Sequence, residues 1–227
     1  MKILIVEDEK ELQSTIINFL SEEGNRCEHA ETLDFALEKV NMYYYDCLLL
    51  DIGLPDGNGL HLIKDLKKHH PETGIIIISA RNSLDDKIAG LDLGADDYIS
   101  KPFNLAELNS RIKSVYRRLK LGGKKELTID DLRILPESRQ LFVNNEAVIL
   151  TKKEFDLLVF FISNPRRVLT KEVIAEHLWG DFADNIDSFD FVYSQIKNLR
   201  RKLQSKTGID YFQNIYGTGY SFNTNNK

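Results

Sequence analysis

The first 119 residues alternate between two hydrophobic patterns. Short unbroken runs rich in Ile, Val and Leu, or strand-like in composition, lie near Lys2–Val6, Arg26–Ala30, Cys47–Leu50, Gly74–Ile78 and Asp97–Ser100. Between and after them apolar residues return every three or four positions: Leu12, Ile16, Phe19 and Leu20; Leu33, Leu37 and Val40; Leu60, Ile63 and Leu66; Ile88 and Leu91; Leu105, Leu108, Ile112 and Val115. Short continuous runs suit strands buried on both faces, and the three-to-four spacing suits helices with one buried stripe. Strict alternation predicts right-handed crossovers and a doubly wound, five-stranded parallel sheet of the flavodoxin-like α/β type.

The pattern changes after Gly122-Gly123, which lie among Lys120, Lys124 and Lys125, so residues 120–125 read as a linker between domains 1–119 and 126–227. Strand-like pieces follow near Leu127–Ile129, Arg133–Leu135, Gln140–Val143 and Ala147–Ile149, with Asn144-Asn145 as a hairpin turn. Thr151 and Glu154 have capping-box spacing ahead of Phe155, Leu158, Val159 and Ile162, and Pro165 closes that helix. Thr170 caps a second helix reaching Trp179. A third, from about Ser188 to Gln204, buries Phe189, Val192, Ile196, Leu199 and Leu203. The stretch Ile215 to Phe222 reads as a terminal hairpin around Gly217 and Gly219. Three helices and a glycine-containing hairpin predict an α+β winged helix-turn-helix, in which one helix enters the major groove of DNA.

Charge sharpens this division. Residues 1–120 hold 15 Lys/Arg against 21 Asp/Glu, whereas the remainder holds 15 against 14. The acidic half is a poor nucleic-acid partner. In the other half Lys197, Arg200, Arg201, Lys202 and Lys206 form a basic stripe with no acid from Ser194 to Lys206. No apolar run approaches a membrane span and the start Met1-Lys2-Ile3 lacks a signal-peptide pattern, so a cytoplasmic protein without membrane contact is expected. Cys27 and Cys47 have no metal spacing and read as reduced core residues.

The residues that close the apolar runs carry the candidate chemistry. Glu7-Asp8, Asp51, Ser79 and Lys101 each follow or end a predicted strand, and the C-terminal ends of parallel strands share one edge, where ligands bind. An aspartate there can attack phosphorus as an oxygen nucleophile. Asp8 and Asp51, with Glu7 beside them, suit Mg²⁺, while Lys101 and Ser79 suit contacts to phosphoryl oxygens. Carboxylates at strand ends can also merely solvate a sheet edge, a reading that weakens when four strand ends supply complementary groups.

Ile3 to Asp8, Asp51-Ile52-Gly53-Leu54-Pro55-Asp56-Gly57, Ser79-Ala80, Gly94-Ala95-Asp96-Asp97-Tyr98 and Lys101-Pro102-Phe103 resemble the receiver domain of bacterial two-component response regulators. Leu150 to Leu158, Val168 to Glu172, Leu178-Trp179-Gly180, Ile196 to Leu203 and Gly217-Thr218-Gly219-Tyr220 resemble the effector domain of the OmpR/PhoB family. The resemblance implies Asp51 as phosphoacceptor, Glu7, Asp8, Asp51 and the Gly53 carbonyl around Mg²⁺, Ser79 and Tyr98 as switch residues, Lys101 as a phosphoryl contact, and a cis bond before Pro102. It implies activation by a sensor histidine kinase and a homodimer through Ile88 and Leu91, with Lys87, Asp96, Asp97, Glu107, Arg111 and Arg118 as intermolecular pairs. Asn109 would make that patch less apolar. Promoter DNA and RNA polymerase would be the output partners.

The reading helix departs from the family's pattern, with Asp190, Phe191, Tyr193 and Gln195 where basic residues, Thr and His are common, and Tyr216 stands where the wing usually has Arg. Contacts to DNA are therefore expected from Tyr193, Gln195, Lys197, Asn198, Arg200, Arg201, Tyr216 and Thr218. Asp181, Asp184, Asp187 and Asp190 would make the helix entry hostile to phosphate. Two alternatives stay open: a DNA-binding regulator with a vestigial acidic pocket, and a Mg²⁺-dependent aspartyl-phosphate phosphatase, for which Gly53 stands where a second aspartate would be needed.

Overall fold

The computed structural model describes residues 1–81, 83–180 and 188–224. They fall into two compact units, divided between Gly123 and Lys124. The first unit runs β1 (Lys2–Val6), α1 (Lys10–Glu22), β2 (Arg26–Ala30), α2 (Leu33–Met42), β3 (Cys47–Leu50), a small antiparallel pair β4 (Gly53–Leu54) and β5 (Gly57–Asn58), α3 (Leu60–His69), β6 (Gly74–Ser79), α4 (Leu84–Asp92), β7 (Asp97–Ser100) and α5 (Leu105–Lys120). Five strands pair in parallel in the order β2-β1-β3-β6-β7. Strand order reverses between β1 and β3, which opens the crevice at their C-terminal ends.

Successive side chains on a strand point to opposite faces, so each apolar run feeds two cores. Leu4 and Val6 join Leu48, Leu50, Ile75 and Ile77 beneath Ala36, Val40, Ile63 and Leu66 of α2 and α3. Ile3 and Ile5 join Cys47, Leu49, Ile76 and Ile78 beneath Ile16 and Leu20 of α1 and Ile112 and Val115 of α5. Each buried Val, Leu or Ile among them stabilises the fold by roughly 1.5–3 kcal/mol relative to exposure. Local signals fix the helix starts: Thr32 Oγ1 accepts from Phe35 N–H at 3.3 Å, Ser83 Oγ from Asp86 N–H at 3.1 Å, and Asn104 Oδ1 from Ala106 N–H at 2.8 Å. Burial raises both thiol pKa values, that of Cys27 to about 11.

The expected linker begins too early. Lys120 is the last residue of α5 and Leu121, at 5% exposure, is buried. The apolar period of that helix runs on to Leu121, immediately before the two glycines. Gly122 and Gly123, at φ 57° and 78°, mark where the chain departs from the helix.

The second unit opens with an antiparallel sheet of β8 (Leu127–Ile129), β9 (Leu132–Leu135), β10 (Gln140–Val143) and β11 (Glu146–Val148), ordered β11-β10-β9-β8. Asn144 and Asn145 both hold positive φ between β10 and β11, the geometry of a tight hairpin turn. Then come α6 (Lys152–Ser163), α7 (Lys171–Trp179), α8 (Asp190–Thr207) and the hairpin β12 (Phe212–Ile215) with β13 (Gly219–Phe222). The Thr151/Glu154 capping box forms at the start of α6. Leu169 bonds to Tyr220 in both directions, at 2.7 and 2.9 Å, which attaches the hairpin to the start of α7. Gly219 permits this approach, since a Cβ there would lie 2.1 Å from the Leu169 carbonyl oxygen.

Two expected boundaries shift. α8 starts two residues later than expected and continues to Thr207, closed by Gly208 in the left-handed region at φ 74°. Phe189 is consequently its half-buried N-cap residue, and the buried stripe consists of Val192, Ile196, Leu199 and Leu203. The hairpin's first strand starts at Phe212, three residues before the expected Ile215, because Phe212 is a core residue packed edge-on to Phe161 and Phe222. Asp181, Asp184 and Asp187 lie outside the described residues. Asp190 is the exposed first residue of α8.

Candidate functional site

The ends of β1 and β3 bring Glu7, Asp8 and Asp51 together, with one carboxylate oxygen of each within 4.8 Å of the others. Glu7 is fully buried and Asp51 is 7% exposed, while Asp8 is exposed. Backbone hydrogen bonds hold the two buried acids in place: Glu7 N–H donates to Ala30 O at 3.0 Å and Asp51 N–H to Val6 O at 2.9 Å. Gly53 N–H donates to Asp51 Oδ1 at 2.7 Å, which orients the carboxylate from the loop that follows it. Gln13 of α1 donates to the Glu7 carbonyl at 2.8 Å.

Lys101 enters from the loop after β7, its peptide bond to Pro102 cis. Its Nζ lies 2.6 Å from Asp51 Oδ2 and 2.7 Å from Glu7 Oε2. One cation therefore bridges two of the three acids. Burial pushes the Glu7 pKa above its ordinary value, and the Lys101 bond and charge only partly offset this. Burial acts to lower the Lys101 pKa, but its bonds to Asp51 and Glu7 outweigh that and raise it. An oxygen-donor cluster of two buried acids and one exposed, with more acids than local cations, fits a hard divalent ion such as Mg²⁺.

Ser79 ends β6, 1% exposed, and its Oγ accepts from Arg81 N–H at 3.1 Å. Lys101 N–H donates to the Ser79 carbonyl at 2.8 Å, tying the hydroxyl's residue to the lysine's. Tyr98 on β7 is half-buried, and its hydroxyl donates to the Arg81 carbonyl at 2.6 Å. Burial raises its pKa, so the phenol is neutral. Arg81 is the shared backbone partner of Ser79 and Tyr98, a role not expected from the sequence. Its position two residues past the strand-end serine was the available signal.

The expected pairing surface is divided. Ile88 and Leu91 on α4 are 47% and 45% exposed, and Leu84, not anticipated, is 72% exposed. Lys87 Nζ lies 5.9 Å from the Tyr98 ring centroid. The charges find partners within the chain: Asp96 with Lys67 at 2.7 Å and Arg118 at 3.5 Å, Arg111 with Asp97 at 2.9 Å and with Glu107 at 2.8 Å. Asn109 does not lie on this face. It is buried and its Nδ2 donates to Glu23 Oε2 at 2.7 Å, near the end of α1, where Lys113 also pairs with Glu23 at 2.9 Å.

The basic stripe of α8 also divides. Lys202 faces inward to Glu154 at 2.6 Å and the Ile149 carbonyl at 3.0 Å, and Lys206 pairs with Glu146 at 3.0 Å. Arg200 is paired with Asp210. Lys197 and Arg201 are exposed, one turn apart, with no carboxylate partner among the described residues. Tyr193 is 54% exposed on the same helix, Gln195 and Asn198 are half-buried, and on the hairpin Tyr216 is fully exposed and Thr218 exposed.

Two family models match the chain: response regulator receiver domain over residues 3–113, and transcriptional regulatory protein, C terminal, over residues 145–222. The phosphate regulon transcriptional regulatory protein PhoB of Escherichia coli K12 is 34% identical over 226 residues, covering 98% of each chain. A CheY-like receiver domain protein from Methanospirillum hungatei, 32% identical, superposes with a TM-score of 0.52 over 54% of this chain and 98% of its own. The beryllofluoride-activated NtrC4 receiver domain dimer, 29% identical, does so with a TM-score of 0.50 over 52% and 98%. With a receiver domain followed by a DNA-binding domain along nearly its whole length, the chain belongs to the OmpR/PhoB-type two-component response regulators.

Proposed function

We propose that this regulator is switched by phosphorylation of Asp51 and that the switch controls promoter binding by its second unit. The observation that carries the reading is the two-acid grip of Lys101 at the one strand-order reversal in the sheet. An Asp51 carboxylate oxygen attacks the phosphorus of a histidine kinase's phosphohistidine. The P–N bond breaks, its electron pair stays on the imidazole nitrogen, and an acyl phosphate results. Glu7, Asp8, Asp51 and the Gly53 carbonyl would hold Mg²⁺, which supplies positive charge toward phosphoryl oxygens when bound. Lys101 then exchanges a carboxylate for a phosphoryl oxygen, and the Ser79 hydroxyl is at hand as a further donor. Arg81 couples Ser79 to Tyr98, so a shift of Ser79 is felt by the tyrosine beside α4.

The output is a homodimer through Leu84, Ile88 and Leu91, with Lys87, Asp96, Asp97, Glu107, Arg111 and Arg118 exchanging their present partners across it. The activated receiver dimer among the solved relatives supports this. Lys197 and Arg201 would meet phosphates, and Tyr193, Gln195, Asn198, Tyr216 and Thr218 would meet bases or sugars in promoter DNA, with RNA polymerase as the downstream partner. As a promoter-binding regulator it would act in the cytoplasm, where the DNA is, and turn over nothing beyond its own acyl phosphate. A small phosphodonor with Mg²⁺ should label the wild-type chain and leave Asp51→Asn unlabelled. Equal labelling of both would reject Asp51 as the acceptor.

A further inference from the structure

Arg200 stands on α8 between Lys197 and Arg201, but its surroundings differ from theirs. Its guanidinium makes a two-point pair with Asp210, Nε to Oδ1 at 2.7 Å and Nη2 to Oδ2. Asp210 Oδ1 also accepts from the backbone N–H of Phe212 at 3.2 Å, the first residue of β12. The connection therefore runs from the reading helix to the base of the hairpin. The Arg200 bond holds the Asp210 carboxyl below its ordinary range, and the same bond raises the Arg200 pKa, so both partners stay charged. A planar fork matched to a carboxylate gives more directional restraint than a lone ammonium would.

Reaching a DNA phosphate would require Arg200 to leave this partner. The exchange replaces one charge-assisted pair with another and strips the exposed Asp210 carboxylate of its cation beside the phosphate that Arg200 would reach, a net repulsion. Lys197 and Arg201 meet no such obstacle among the described residues. We propose that Arg200 is withheld from DNA and is a positioning residue, acting through Asp210 to fix the wing hairpin against the reading helix, while Lys197 and Arg201 make that helix's phosphate contacts. The proposal rests on the DNA-binding reading of the second unit.

The test uses the full chain, random-sequence duplex DNA as probe, and two readouts. The first is the slope of log affinity against log salt, to which each phosphate-neutralising cation contributes about 0.9. Lys197→Ala and Arg201→Ala should each make the slope shallower by about that amount, and Arg200→Ala should leave it unchanged. The second is amide hydrogen exchange in β12 without DNA, which Arg200→Ala and Asp210→Ala should both accelerate. Arg200→Lys should retain the slope with intermediate exchange. If Arg200→Ala does not fold, Arg200→Lys and Asp210→Asn carry the exchange readout. A slope loss of about 0.9 in Arg200→Ala, or hairpin exchange unchanged in the clamp variants, would overturn the proposal. Failure of the wild type to bind duplex at any salt would remove the DNA-binding reading itself, a result separable from either of those.

Discussion

Glu7 shows how a residue can serve a site at the expense of the fold. Burial raises its pKa above the ordinary 4.5, so the folded chain holds this proton to higher pH than the unfolded chain does. Its contribution to stability is therefore fully present below pH 4.5 and is lost as pH rises through the folded value. At neutral pH the carboxylate is held under penalty, and Glu7→Gln should stabilise the fold by on the order of 1 kcal/mol, seen as a higher thermal midpoint, while abolishing Mg²⁺-dependent labelling. A lower midpoint at pH 7 would contradict this. Glu7, Asp51, Ser79 and Lys101 were legible in the sequence because parallel strands buried on both faces leave unbroken apolar runs, and a polar residue ending one is conspicuous. Asp210 was not, since nothing local to it signals a partner ten positions earlier on a different element.

At the scale of elements, capping chemistry and helix period were legible and helix orientation was not. Thr151 and Thr170 cap the helices expected of them. Asn109 lies on the apolar side of α5 by period, but which neighbour that side meets is decided by the layer, and the neighbour is α1. The tie between α6 and α8 has a measurable signature. Burial acts to raise the Glu154 pKa, but the Lys202 bond and the capping-box bonds outweigh it and lower it. Stability from this group is present above its ordinary 4.5 and lost as pH falls through the depressed folded value. Glu154→Gln should flatten the acid limb of the second unit's stability-pH curve and cost about 1–3 kcal/mol at pH 7, read from denaturant midpoints. A mutant curve parallel to the wild type at low pH would refute the assignment.

For the whole molecule, the proposed phosphorylation of Asp51 would act through whether two chains meet. Two reading helices on adjacent half-sites gain affinity through effective concentration without any new DNA contact. Ile88→Asp or Leu91→Asp should therefore leave phosphodonor labelling intact while abolishing phosphodonor-dependent dimerisation in light scattering, and duplex affinity should fall to that of the unphosphorylated chain. Dimers persisting in both variants would move the interface elsewhere. The division into two units was legible from the change of period, and its position was shifted by Leu121, whose burial belongs to the packing of the first unit. The alternation of β1 between two cores should also show in how related sequences vary. Leu4 and Ile5 adjoin along the chain but answer to helices on opposite flanks of the sheet. Substitutions accumulating in descendants of this gene should be compensated among residues two apart and their own flank's helices, so adjacent strand positions drift independently while distant ones change together.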